Sequence, residues 1–102
     1  MDQIFIDLLT SLEEKRPKVD KKRFADVYSF ALVHHIGQLR HSGEDYITHP
    51  VAVAKILIGW GLDQTTVEAA LLHALPKVSS VSLEEITALF GQEVASLVAG
   101  VN

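Results

Sequence analysis

The chain contains no cysteine, which excludes a disulfide scaffold, thiolate catalysis and any zinc site built on sulfur. It has no excess of positive charge. Nine Lys and Arg stand against thirteen Asp and Glu, for a net charge of −4, so nucleic-acid binding through overall electrostatics is disfavoured. No uninterrupted apolar run reaches the roughly 18 residues that a membrane span requires. The start, Met1-Asp2-Gln3, lacks the basic opening and cleavage site of a signal peptide, and a cytoplasmic location is expected. No segment carries the two-residue alternation of a half-buried strand, and no repeat or low-complexity tract occurs.

What is present is enough for one packed domain. Of 102 residues, 48% are hydrophobic and 22% charged, a balance that supports a single core and argues against wholesale disorder. The periodicity predicts helices throughout. Ile4, Phe5, Leu8, Leu9 and Leu12 recur at helical spacing, and Pro17 closes that segment. Asp20 is a good N-cap for a second helix running to about Arg40, with Phe24, Val27, Tyr28, Ala31, Leu32 and His35 on one stripe. Thr48 can cap a third helix, expected to be buried on most sides because Lys55 is its sole charge before Gly61 ends it. Asp63 starts a fourth, stopped by Pro76, and Ser82-Leu83-Glu84-Glu85 reads as a capping box for a fifth. Gly91 separates that from a sixth with Val94, Ala95, Leu97, Val98 and Val101 apolar. The expected fold class is therefore all-α, a bundle of about six helices.

Six of the nine basic residues fall between Lys15 and Arg23. A solvated connection is the simpler reading, and a patch for an acidic ligand or RNA is the sharper one, although no aromatic residue interleaves the charges to supply stacking. The five histidines offer the clearest chemistry. They include no HExxH pair, and the chain has neither a phosphate-binding glycine loop nor a nucleophile elbow. His73 lies inside the apolar run Ala69-Ala70-Leu71-Leu72-His73-Ala74-Leu75-Pro76, where its ring needs a partner, either a carbonyl or a metal. His49 sits at a helix entrance before Pro50, a place for a ligand or for an ordinary helix-entry residue. His34 and His35 point about 100° apart on a helix, so at most one of them faces a given site.

The run His35-Ile36-Gly37-Gln38-Leu39-Arg40-His41-Ser42-Gly43-Glu44-Asp45-Tyr46-Ile47-Thr48-His49-Pro50 resembles the H-x-G-Q-x-R-x-S-G-E-x-Y-I-x-H-P stretch of the RelA/SpoT HD hydrolase family. Ala69-Ala70-Leu71-Leu72-His73 is similar to the approach to that family's His-Asp doublet. Phe90-Gly91, Val98 and Gly100-Val101 echo its later F-G and L-V-x-G-V signature. The resemblance covers residues 20–102 and follows an N-terminal helix over 1–16; it implies that 1–102 is one HD-like domain, cut short of the family's C-terminal helices. It implies an all-helical fold and removal of the 3′-diphosphate from the alarmones ppGpp and pppGpp with manganese. It assigns metal-binding roles to His49 and His73, places Arg40 against the guanine base, and puts Ser42, Glu44 and Tyr46 in the loop beside the nucleotide.

The departures shape the functional expectation. Where the family has aspartate after the second histidine, this chain has Ala74. Where the family has an acidic pair, this chain has Lys77 and Val78. The family's last metal-binding aspartate lies beyond Asn102. Manganese favours oxygen donors, so two imidazoles are a poor set for it. Without the ion no Lewis acid activates water. The expectation is thus a degenerate domain with no catalytic residue, vestigial metal positions at His49 and His73, no bound cofactor, and a nucleotide-binding, regulatory or interaction role. Lys77, unless simply solvated, would add attraction for a diphosphate. The alternatives are an active manganese-dependent hydrolase with a rearranged site, and a helical oligomerisation module. Guanosine tetra- or pentaphosphate is the expected small-molecule partner. Exposure of Val94, Leu97, Val98 and Val101 would favour a homo-oligomer through the last helix.

Overall fold

The computed structural model describes residues 2–35 and 47–101, and these contain seven helices and no strand. They are α1 (Gln3–Lys15), α2 (Lys21–His35), α3 (Thr48–Gly59), α4 (Gln64–Leu72), α5 (Leu75–Val78), α6 (Leu83–Phe90) and α7 (Gln92–Val101). The all-α expectation holds. The added element is α5, a single turn. No helix among the described residues is long and apolar enough to cross a membrane.

Most caps follow the sequence. The Asp20 carboxylate accepts from the Arg23 amide at 3.1 Å, Asp63 from Thr66 at 2.9 Å, and Ser82 from Glu85 at 3.1 Å. Each satisfies an orphan donor of a first turn. Of the expected capping box, the serine half is formed, with Ser82 Oγ accepting from the Glu85 amide. Thr48 does not cap α3. Ile47 occupies the cap position in helical conformation, with no side-chain bond, and Thr48 is already helical. At the other end of α3 the chain makes a Schellman turn. The Leu62 amide donates to the Leu57 carbonyl at 3.1 Å and Gly61 to Ile58 at 2.9 Å, with Gly61 at φ +79°, where a Cβ would be strained.

The centre of the domain is α4, which packs against α2, α3 and α7. Every residue from Val67 to Leu72 is buried, so the helix is enclosed all round. Around it Phe5, Leu8 and Leu12 of α1 meet Phe24, Val27, Tyr28 and Ala31 of α2. The Phe5 ring lies 5.3 Å from Tyr28 and 5.9 Å from Phe24. Burying each such large apolar side chain contributes about 1.5–3 kcal/mol.

Three expectations are corrected by this packing. First, α3 buries one face, through Val51, Ala54 and Ile58, while Ile56 and Trp60 remain exposed. Its neighbours α1 and α4 cover only that face. Second, α4 ends at Leu72, before Pro76 is reached. A proline ring clashes with the carbonyl four residues earlier, which here is Leu72. Pro76 then fits the first turn of α5, where no amide hydrogen is needed. Third, Val94 and Val98 are fully buried, because α7 lies against α4 and α6. Of the four α7 residues expected to be open, Leu97 is described as exposed and the Val101 side chain lies outside the described residues. The physical ground for self-association through α7 is correspondingly reduced.

The basic connection between α1 and α2 is largely consumed within the domain. Lys21 pairs with Glu13 at 2.8 Å, Lys22 with Asp26 at 3.2 Å and Arg23 with Glu68 at 2.9 Å. Arg16 donates to the Gly61 carbonyl at 2.8 Å, tying the end of α1 to the turn after α3.

Candidate functional site

His49 is the second residue of α3, and Pro50 behind it is buried in the core, which fixes the entry of the helix. His73 is the first residue past α4, at the break that Pro76 enforces. Both rings are half-buried. The fold brings them together, with centroids 6.0 Å apart and planes inclined by 65°. The Nδ1 of His73 lies 2.8 Å from the Ala70 carbonyl. A carbonyl only accepts, so Nδ1 carries the hydrogen and donates, and Nε2 is the basic nitrogen of that tautomer. The carbonyl reading of His73 is thus met by Ala70, and the same ring lies beside a second imidazole.

His35, at the end of α2, is 2% exposed. Burial, followed by the neighbouring His73 and His34 rings, lowers its pKa from the ordinary imidazole range to about 4. It is neutral at physiological pH. His34 turns away to lie against Phe30, with ring centroids 4.3 Å apart, consistent with the two adjacent histidines facing different surroundings.

After His73 comes Ala74, 5% exposed. Its methyl group is packed in the protein at the place where the resembled family has a carboxylate. Lys77 is exposed on α5, and its amide donates to the Ala74 carbonyl at 3.0 Å. Arg40, Ser42, Glu44 and Tyr46 lie outside the described residues. Beside His73 an apolar cleft of about 420 Å³ opens between α3, α4 and α7, lined by Val53, Leu57, Ala69, Ala70 and Leu97. Periodicity alone did not reveal that cleft, because it forms between three helices.

Glu68 has no part in the histidine site. It is fully buried and accepts from Arg23 Nε at 2.9 Å and from Gln64 Nε2 at 2.8 Å. Arg23 also donates to the Phe90 carbonyl, and Gln64 pairs with both backbone polar groups of Asp20. This network braces α2, α4 and the α6–α7 junction. Sequence reading left Arg23 in a basic stretch, either solvated or facing an acidic ligand, and did not pair it with Glu68. The missed signal was a lone acid among buried apolar neighbours, which demands a cationic partner.

The donor set can be tested against manganese. Among the described residues, no group of three or more His, Cys, Asp or Glu is arranged to hold a metal ion. Two imidazoles beside a buried methyl group do not make the oxygen-rich octahedron that manganese prefers. The described residues do not fit that ion.

Comparison with known proteins places this geometry in a family. The HD domain model matches residues 27–102. The chain is 42% identical over 99 residues to the bifunctional (p)ppGpp synthase/hydrolase SpoT of Escherichia coli K12, an alignment covering 97% of this chain and 14% of that protein. It is 53% identical over 68 residues to the guanosine-3′,5′-bis(diphosphate) 3′-pyrophosphohydrolase of Vibrio cholerae, covering 67% of this chain and 10% of the relative. It is also 49% identical over 74 residues to a probable enzyme of the same name from Synechocystis, covering 72% and 10%. The chain therefore spans no more than about a seventh of the length of these relatives. With a helical bundle that joins His49 to His73, and a match over most of its residues, this chain belongs to the HD-domain family.

Proposed function

We propose that this domain binds a guanine nucleotide of the guanosine tetra- or pentaphosphate class without hydrolysing it, and serves as a regulatory or interaction module. The substrate class follows from relatives named for guanosine-3′,5′-bis(diphosphate). The loss of hydrolysis follows from Ala74, whose buried methyl stands directly after His73 where the resembled family has a metal-binding carboxylate. A hydrolase of this kind needs an ion to polarise the attacked phosphate and lower the pKa of water, together with a base in reach of that water. An imidazole pair with an exposed lysine a turn away supplies neither an oxygen-rich ion site nor a carboxylate base.

In this reading the binding residues are Arg40, Ser42, Glu44 and Tyr46 beside the nucleoside, with Lys77 attracting the diphosphate. A cation at position 77 favours an anionic ligand through charge alone. The rings of His49 and His73 lie side by side near Lys77's helix.

The deciding experiment is a ppGpp titration by calorimetry, paired with a pyrophosphate-release assay in manganese. The expected result is saturable binding that Arg40→Ala and Lys77→Ala both weaken, with no release above the buffer rate. Manganese-dependent turnover that is lost in His73→Ala would overturn the proposal, and so would an absence of nucleotide binding.

A further inference from the structure

We propose that the cleft between the α1–α2 turn and the start of α4 binds a compact oligophosphate, an anion of two or more linked phosphate groups. The cleft stands at the opposite end of α4 from His73, and the proposal does not rest on the function assigned to the histidine end.

The first argument is how the fold sorts the basic stretch. Of its six cations, Lys21, Lys22 and Arg23 are answered by Glu13, Asp26 and Glu68. Lys15 and Lys18 are exposed and make no ion pair among the described residues. Arg16 gives one N–H to the Gly61 carbonyl at 2.8 Å, which leaves the rest of its donor fork unspent. These three cations line one cleft of about 510 Å³, a volume that suits a small molecule. Asp63 is the single acid in the lining, and its carboxylate already accepts from the Thr66 amide at 2.9 Å. The cleft thus carries a local excess of positive charge in a chain whose net charge is −4.

The second argument is that the walls are already in place. The Arg16–Gly61 bond ties one end of the turn to the α3–α4 connection. Gln64 ties the other, accepting from the Asp20 amide at 2.8 Å and donating to the Asp20 carbonyl at 3.0 Å. Between these ties the Val19 amide donates to the Arg16 carbonyl at 3.0 Å, and Pro17 restricts the backbone. A ligand therefore meets a turn whose main chain needs no further ordering. Gln64 and Thr65 belong to the first turn of α4, whose partial positive charge adds to the same field.

The third argument selects the ligand. No aromatic residue lines the cleft to stack a base, which disfavours single-stranded RNA. An extended acidic peptide is held largely through main-chain partners, and the Val19 and Asp20 amides are spent within the protein. A compact anion of high charge density needs only converging cations and N–H donors.

The test titrates the whole chain with sodium tripolyphosphate by calorimetry at low salt, maps the site by amide shifts in nitrogen-15 NMR, and repeats both with ATP. Binding should be saturable, with shifts centred on residues 15–19 and on Gln64 and Thr65. The double variant Lys15→Gln/Lys18→Gln, both changes being on exposed side chains, should weaken tripolyphosphate by about tenfold. Lys22→Gln, which removes a cation already paired with Asp26, should change it by about twofold at most. ATP binding as tightly as tripolyphosphate upholds the site as a reader of the phosphate chain of nucleotides. Failure of ATP alone upholds it for the free oligophosphate. An absence of tripolyphosphate binding would overturn the proposal, and so would undiminished affinity in the double variant. Shifts confined to the surroundings of His49, His73 and Lys77 would overturn it too, as would an RNA or a glutamate-rich peptide that binds where tripolyphosphate does not. The amide map separates this cleft from the histidine end, so the proposal and the ppGpp reading can fail independently.

Discussion

The two ends of α4 handle polar chemistry in opposite ways. Towards its start, Glu68 is fully buried and its charge is answered by Arg23 and Gln64, which are themselves tied to Phe90 and Asp20. Just past its end, His73 is half-buried beside the ring of His49, and the residue that follows is an alanine. The first arrangement is electrostatically closed and holds helices together. The second sets two imidazoles side by side, with a methyl group where the resembled family has a carboxylate. A buried polar group is therefore read by whether its partners complete it, more than by its burial.

The sharpest way to break the contrast is to open the closed end. Arg23→Ala leaves Glu68 as a buried carboxylate without its cation, and a loss of about 3–5 kcal/mol is expected in urea unfolding. Replacing both residues by apolar ones of similar volume should cost much less, because no charge is then stranded. A small domain with a total stability of about 5–15 kcal/mol registers the single change clearly.

Next in size is the acid response at the histidine end. The folded-state pKa of His35 is about 4, against about 6.5 in the unfolded chain. Below pH 6.5 the unfolded state takes up a proton that the folded state refuses. The stability contributed by this group is therefore complete above that pH and falls as pH drops towards 4. The loss reaches up to about 3 kcal/mol across this window. Stability measured by denaturant at intervals from pH 7 to 4 should show the decline, and His35→Gln should flatten it in that window.

The smallest effect is a control on the neighbouring surface pair. Lys22 and Asp26 also sit on α2, 3.2 Å apart, but both are largely exposed. Lys22→Ala should shift stability by no more than about 0.5 kcal/mol, and added salt should remove even that. A larger change would mean that exposure does not separate the two ion pairs, and the comparison between open and closed electrostatics would lose its basis.

Much of the fold was legible because local rules and global packing agree here. Asp20, Asp63 and Ser82 were recognisable as caps, and the α2 stripe ending in His35 is the face that is buried. The misreadings share a cause. The composition of α3 suggested burial on most sides, yet which faces are covered depends on how many neighbours the topology supplies. Val94 and Val98 of α7 were expected to be open, but α4 and α6 take them up. At the site, the pairing of His49 with His73 was indicated by resemblance, whereas the role of the Ala70 carbonyl required coordinates. The Arg23–Glu68 brace joins residues 45 positions apart, a distance over which spacing carries no information.

The burial of Ala74 has a consequence for how such a domain keeps its shape. A carboxylate at that place, with no cation beside it, would put an uncompensated charge against the interior and cost several kcal/mol. Alanine removes this liability. At this one position the packing of the chain asks for no cation to answer a buried charge, which leaves the side chain at the break between α4 and α5 held by apolar contact alone.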